Sequence, residues 1–305
     1  MKRVLVADPL LKEGLEILRS GKGVEVVVKD NISAQELVGE IADYDAVIVR
    51  SRTKVTREVI DAGKRLQVIA RGGVGLDNID TEAAKARGIQ VLNTPEASSA
   101  SVAEHALALC FALARQIPRA HSTTAAGGWE KKVIKGVELA GKTLGIIGLG
   151  RIGWELAKRG LGLGMRVIGT DPYVDKKAIE AMGVEPASLA QVLRESDFIS
   201  LHIPMSLETK SLIGAGELDM MKTTAFLINC ARGGVVDESA LVKALREKKI
   251  AGAALDVFAS EPPAGSPLLG LDNVVLTPHI AAATTDGQRR VGIEVSRKVL
   301  EALKA

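Results

Sequence analysis

The stretch from Lys142 to Asp171, KTLGIIGLGRIGWELAKRGLGLGMRVIGTD, leaves few folds open. Thr143 to Ile147 is a short apolar run of the kind that forms a buried parallel strand. Gly148-Leu149-Gly150-Arg151-Ile152-Gly153 follows at once, and then Ile152, Leu156, Arg159 and Leu163 recur at helical spacing. A second strand, Arg166 to Thr170, ends on Asp171. Each glycine has a separate task. Gly148 turns the chain off the strand, Gly150 leaves room for a pyrophosphate, and Gly153 lets the helix pack close to the sheet. The helix start offers unpaired N–H groups and the positive end of its dipole to phosphates. Asp171 stands where an acid accepts hydrogen bonds from ribose hydroxyls. Strand, glycine loop, helix, strand and acid in register predict a dinucleotide site. They also predict NAD over NADP, because a 2′-phosphate would meet a carboxylate of like charge.

The rest of the chain is consistent with such a protein. Its 305 residues suffice for two domains with a large core. The net charge of +3 is too small to argue for nucleic acid, and no dense basic run with interleaved aromatics is present. The longest apolar run, Ala106 to Ala114, is too short for a bilayer, and MKRVLVADPL runs into a strand rather than a signal peptide. Cys110 and Cys230 make no disulfide framework, so a reducing cytoplasm is the expected compartment. His105, His121 and His202 have no spacing that links them into a metal site, and are read as structural.

Before the glycine loop, strands alternate with helices: Lys2–Ala7, Val24–Val28, Asp45–Val49, Leu66–Ala70 and Ile89–Leu92 read as strands. Ser33 with Glu36 forms a capping box. Alternation of this kind predicts a parallel sheet covered on both faces, with ligands at the carboxyl ends of its strands. Arg50, Ser51 and the Arg71-Gly72-Gly73 loop lie at such ends. Val102 to Gln116 reads as one long helix ended before Pro118, followed by an irregular stretch from Ala120 to Leu139. After the glycine loop the alternation resumes, and a helix closes the chain from about Asp286 to Leu303.

Three ionisable residues follow strands of the second half: Arg232, Glu261 and His279. Glycines flank the first and prolines the other two, which restricts where their side chains point. Reduction of a 2-keto acid builds charge on the carbonyl oxygen. A guanidinium can grip the carboxylate and polarise the ketone. An imidazole can deliver the proton, and a carboxylate on its other nitrogen favours the imidazolium.

Together GLGRIG, Asp171-Pro172, Asn229-Cys230-Ala231-Arg232-Gly233-Gly234, Asp256-Val257-Phe258-x-x-Glu261-Pro262-Pro263 and Thr277-Pro278-His279 resemble the D-isomer-specific 2-hydroxyacid dehydrogenases. The resemblance covers essentially the whole chain. Val49 to Thr56, Arg71 to Asn78 and Trp129 to Lys132 look most like the D-3-phosphoglycerate dehydrogenase branch. The resemblance implies an α/β protein of two doubly wound, Rossmann-like domains. The substrate domain would be discontinuous, residues 1–97 and 281–305, around an NAD domain, residues 98–280. It implies a homodimer built through the NAD domains and a cleft that closes for hydride transfer. Arg232, Glu261 and His279 take the catalytic roles. Gly148, Gly150, Arg151, Ile152, Gly153, Asp171, Cys230, Ala231, Arg232, Asp256 and His279 face the cofactor. Arg50, Ser51, Arg71, Gly72, Gly73 and Lys131 face the substrate, expected to be 3-phosphoglycerate.

Two departures stand out. The family usually has glycine two residues after the histidine, where this chain has Ala281. Many phosphoglycerate dehydrogenases carry a C-terminal serine-binding domain, and none is expected in this polypeptide. Two other functions fit the same motifs: a glyoxylate or hydroxypyruvate reductase with the same triad, and an NAD(H)-sensing corepressor-like protein.

Overall fold

The computed structural model describes residues 1–304, which divide into two compact units, residues 1–99 with 282–304 and residues 100–281. The first unit contains β1 (Lys2–Val6), α1 (Lys12–Ser20), β2 (Val24–Val28), α2 (Ala34–Glu40), β3 (Ala46–Val49), α3 (Arg57–Ala62), β4 (Val68–Arg71), α4 (Thr81–Ala86) and β5 (Gln90–Asn93). Its five strands are parallel in the order β2-β1-β3-β4-β5. Alternation of side chains sorts its core into two layers. Leu5, Val47, Val49 and Ile69 pack on one face with Val59, Ile60 and Ala83. Val4, Val6, Ala46, Ile48, Val68 and Ala70 pack on the other with Leu18, Val295 and Val299. The Ser33–Glu36 capping box forms as the spacing predicts.

The second unit contains all but the first residue of α5 (Ser99–Ala114), then α6 (Ile117–Ala125), β6 (Thr143–Ile147), α7 (Arg151–Gly162), β7 (Arg166–Thr170), α8 (Lys176–Ala181), β8 (Glu185–Pro186), α9 (Leu189–Glu195), β9 (Phe198–Leu201), α10 (Ala215–Met220), β10 (Phe226–Asn229), α11 (Glu238–Arg246), β11 (Gly252–Leu255) and β12 (Val274–Leu276). The order β12-β11-β10-β9-β6-β7-β8 is that of a doubly wound sheet, parallel throughout, with its switch point between β6 and β9. The last helix, α12 (Thr285–Leu303), belongs to the first unit. There it lies against α1, close enough that a Cβ on Gly14 would come within 2.8 Å of the Gly292 carbonyl oxygen.

One expected helix boundary is corrected. The chain breaks at Gln116, in left-handed conformation at φ 50°, and a second helix, α6, follows through Pro118. A proline in the first helical turn lacks only an N–H that would have no partner there, so it starts this helix rather than ending the previous one. The part of the expected irregular stretch up to Ala125 is therefore helical.

Candidate active site

The glycine loop leaves β6 beside the switch point. Gly148 sits at φ 96°, and a Cβ there would lie 2.5 Å from the His202 carbonyl oxygen, beyond the end of β9. Only glycine fits both the angle and the approach. Gly150 caps α7 without a side-chain hydrogen bond, and the space where its Cβ would stand is open. Arg151 and Ile152 begin the helix. At Gly153 a Cβ would collide with the Gly148 carbonyl oxygen, so helix and loop meet backbone to backbone. Asp171, just past β7, is fixed by two N–H donors: Leu149 to Oδ2 at 2.9 Å and Tyr173 to Oδ1 at 2.8 Å. Each carboxylate oxygen keeps a lone pair for a ribose hydroxyl. An uncapped helix start, open space at Gly150 and a fixed acid at the second strand end are what a dinucleotide requires.

Arg232, Glu261 and His279 follow β10, β11 and β12, three neighbouring strands at one edge of this sheet. Glu261 Oε2 is 2.8 Å from His279 Nδ1, and its Oε1 accepts the Phe258 N–H at 3.1 Å. Both side chains remain partly open to solvent. The bond to Glu261 assigns the proton of Nδ1 and leaves Nε2 to act outward. His279 lies at φ 53°, left-handed for a residue with a side chain, a strain of about 1 kcal/mol held by its surroundings. The loop of Arg232 rests on the loop of Glu261, because a Cβ on Gly233 would fall inside the Phe258 carbonyl group. Asn229 Nδ2 donates to the Arg232 carbonyl at 3.0 Å, and Arg232 Nη1 to the Ala231 carbonyl at 2.7 Å.

Asp256 is 0% exposed. Its Oδ1 accepts from Thr277 Oγ1 at 2.6 Å and the Ile280 N–H at 2.9 Å, and its Oδ2 from the Ala281 N–H at 2.8 Å. Burial alone would push this carboxyl up. The His105 imidazole, 3.5 Å away, and the hydrogen bonds from Thr277, Ile280 and Ala281 outweigh it and hold the group below the ordinary range. Cys230 and Ala231 are nearly covered, and burial pushes the Cys230 thiol well above its usual value. Cys110 is inert for the same reason, pushed up to about 12.

In the first unit Arg50, Gly72, Gly73 and Arg71 form one group. A Cβ on Gly72 would touch Arg50 Cγ at 3.4 Å, and one on Gly73 would strike the Arg71 guanidinium. Arg50 is half-buried, and its Nε is buried without a hydrogen-bond partner among the described residues. Burial lowers its affinity for the proton, against the pull of Asp8. Ser51 is exposed in the same loop. Lys131 belongs to the second unit and is exposed in the stretch after α6.

Sequence reasoning passed over one residue, Asp8, and gave another, His105, only a structural reading. Asp8, 1% exposed just past β1, accepts from the Arg50 N–H at 2.6 Å, Arg52 Nε at 2.9 Å and Thr53 Oγ1 at 2.8 Å. It therefore shapes the Arg50 loop across that sheet's own switch point. The Asp8-Pro9 pair after a first strand was the available signal. His105 is the other: its Nε2 is 3.1 Å from Thr277 Oγ1. Among the described residues no cluster of His, Cys, Asp and Glu is arranged to hold a metal, and no helix is long and apolar enough to cross a membrane.

Comparison with known proteins shows the family. A family model, D-isomer specific 2-hydroxyacid dehydrogenase, NAD binding domain, matches residues 107–281. A D-3-phosphoglycerate dehydrogenase of Methanocaldococcus jannaschii is 48% identical over 305 residues, 100% of this chain. The chain spans 58% of that relative's length. A hydroxypyruvate reductase of Thermotoga maritima is 48% identical over 304 residues, 99% of this chain and 98% of its own length. Among solved structures, a D-lactate dehydrogenase of Aquifex aeolicus complexed with NAD and lactic acid superposes with a TM-score of 0.85 at 31% identity, covering 99% of this chain and 96% of that one. The chain is a member of the D-isomer specific 2-hydroxyacid dehydrogenase family and carries that family's NAD-binding domain.

Proposed function

We propose that the protein interconverts a D-2-hydroxy acid and its 2-keto acid with NAD, and that its substrate is D-3-phosphoglycerate. The observation that carries the reaction class is the 2.8 Å bond between Glu261 and His279, beside an Arg232 loop packed on the same backbone. NAD, when bound, accepts or supplies the hydride. The remaining work falls to side chains. Arg232 grips the substrate carboxylate and stabilises charge on the neighbouring oxygen. His279 Nε2 takes the hydroxyl proton in oxidation and returns it in reduction. Glu261 keeps Nδ1 protonated, orients the ring and stabilises the imidazolium between these steps.

The phosphate reading rests on Arg50. A half-buried guanidinium with an unpartnered Nε gains from an anion what solvent no longer gives it. Arg71, Gly72 and Gly73 adjoin it and Ser51 can add a hydroxyl, whereas Lys131 would add charge from the exposed stretch after α6. The test compares phosphohydroxypyruvate with hydroxypyruvate. Phosphate recognition requires a large preference for the first, which Arg50→Ala and Arg71→Ala shrink rather than lowering both rates equally. Equal handling by the wild type overturns the phosphoglycerate reading.

A second reading, hydroxypyruvate reduction, is favoured by one observation: a relative of that name is 48% identical to this chain, as similar as the phosphoglycerate dehydrogenase. The same substrate pair separates the two. We read the assembly as a homodimer through the NAD unit, supported by the exposed apolar side chains of Ile117, Trp129, Val133 and Val137 in one stretch. A monomeric mass by light scattering would refute it. A place in serine biosynthesis follows from the phosphoglycerate reading and shares its test, whereas the cytoplasmic location is proposed from the free thiols of Cys110 and Cys230, which a reducing compartment preserves.

A further inference from the structure

His105 lies on α5, 172 residues from Thr277 in sequence. Its Nε2 is 3.1 Å from Thr277 Oγ1 and 3.5 Å from Asp256 Oδ1. Thr277 has a single hydroxyl proton, which goes to Asp256 over 2.6 Å. An ionised carboxylate only accepts, so the threonine oxygen is left as acceptor and His105 must carry a proton on Nε2. Donation therefore runs one way, from His105 to Thr277 to Asp256.

The end of that chain bears on His279. Asp256 accepts the N–H groups of Ile280 and Ala281, the two residues directly after the histidine. The N–H of His279 returns to the Thr277 carbonyl at 3.0 Å. Both flanks of the left-handed residue are thus tied to one carboxylate that is 0% exposed. Water has no access to stand in for a missing donor at Asp256. The Cys230 and Cys110 thiols nearby are kept neutral by burial and bring no positive charge.

We propose that His105 is a positioning residue for His279, acting through Thr277 and Asp256 on the backbone that carries the imidazole. The proposal rests on the reading of His279 as the proton carrier. Three variants test it. His105→Leu removes the donor and keeps the bulk, Thr277→Val removes the relay hydroxyl, and His105→Gln keeps an N–H of similar reach. His105→Leu and Thr277→Val should each lower kcat about tenfold, the order expected for a lost buried hydrogen bond. NADH affinity, read by fluorescence, should stay within about twofold. His105→Gln should recover most of the loss.

A second readout does not depend on turnover. The Nδ1–H proton of His279 is followed by NMR and assigned by its disappearance in His279→Asn. It should shift or broaden in His105→Leu and Thr277→Val and return in His105→Gln. The proposal is overturned if the first two variants leave both kcat and this signal in place. It is equally overturned if His105→Gln behaves like His105→Leu, since packing and not donation is then lost. Where His105→Leu does not fold, Thr277→Val decides. If the wild type turns over no 2-hydroxy acid while the signal responds as described, the positioning holds and the catalytic reading of His279 is what fails.

Discussion

Glu261 and His279 are joined by a 2.8 Å bond between Oε2 and Nδ1, although each stands on a separate loop beyond neighbouring strands. The second oxygen of Glu261 is held by the Phe258 N–H, so the carboxylate has little freedom to swing away. Glu261→Gln keeps the shape and one acceptor but removes the negative charge beside Nδ1. We expect kcat to fall about 10- to 100-fold, with NADH affinity unchanged. His279→Asn should cost about 10²- to 10⁴-fold. Steady-state kinetics beside an NADH titration checks both, and a wild-type kcat in Glu261→Gln would remove the pair from the mechanism.

Gly233 has no room for a side chain against Phe258. Gly233→Ala must push the Arg232 loop away from the Glu261 loop. The expected cost is about 1–3 kcal/mol of stability for the forced backbone shift. The expected kinetic signature is a rise in KM for the acid together with a fall in kcat, since Arg232 is displaced in both states. Urea unfolding and initial rates measure the two parts, and a variant normal in both would show that the loops are not coupled.

Asp171 already accepts two N–H donors and presents a fixed negative charge at the end of β7. The wild type should prefer NADH over NADPH by at least about tenfold in kcat/KM, about 1.4 kcal/mol. Asp171→Ala should erode that preference mainly by weakening NADH use, because the ribose loses its acceptor and Leu149 its anchor. Equal kcat/KM values for the two cofactors in the wild type would discard this role.

His202 gives a pH dependence of stability with a definite sign. Its Nδ1 is buried without a partner among the described residues, and burial depresses its proton affinity from the ordinary 6.5 to about 4. The unfolded chain takes up this proton near pH 6.5, the folded one only near pH 4. Between these values protons favour the unfolded state, so stability falls as pH is lowered through that window. The full effect of one such group is about 3 kcal/mol at the acid end. Urea midpoints at intervals from pH 7 to 4 should decline, and His202→Gln should flatten the decline. Parallel curves for variant and wild type would assign the acid sensitivity to other groups.

The sequence by itself determined the elements and the strand ends. Alternating Leu5, Val47 and Ile69 against Val4, Ala46 and Val68 is local information, because a strand buried on both faces needs apolar residues at every step. Gly148, Gly150 and Gly153 were equally legible, since their spacing answers to one loop and one helix start. The break at Gln116 was not, because Pro118 looks the same to a reader whether it ends one helix or begins another. Only the tertiary structure decided which loops meet. The order β12-β11-β10-β9-β6-β7-β8 sets Arg232, Glu261 and His279 side by side, and nothing local to those residues encodes that order. It also brought Asp8 to Arg50 across 42 residues and His105 to Thr277 across 172. Such pairs are created when burial of the two sheet faces closes the fold and places distant polar groups within hydrogen-bond reach. Their partners are named by geometry and not by spacing, which is why a lone histidine on an apolar helix gave no sign of its role.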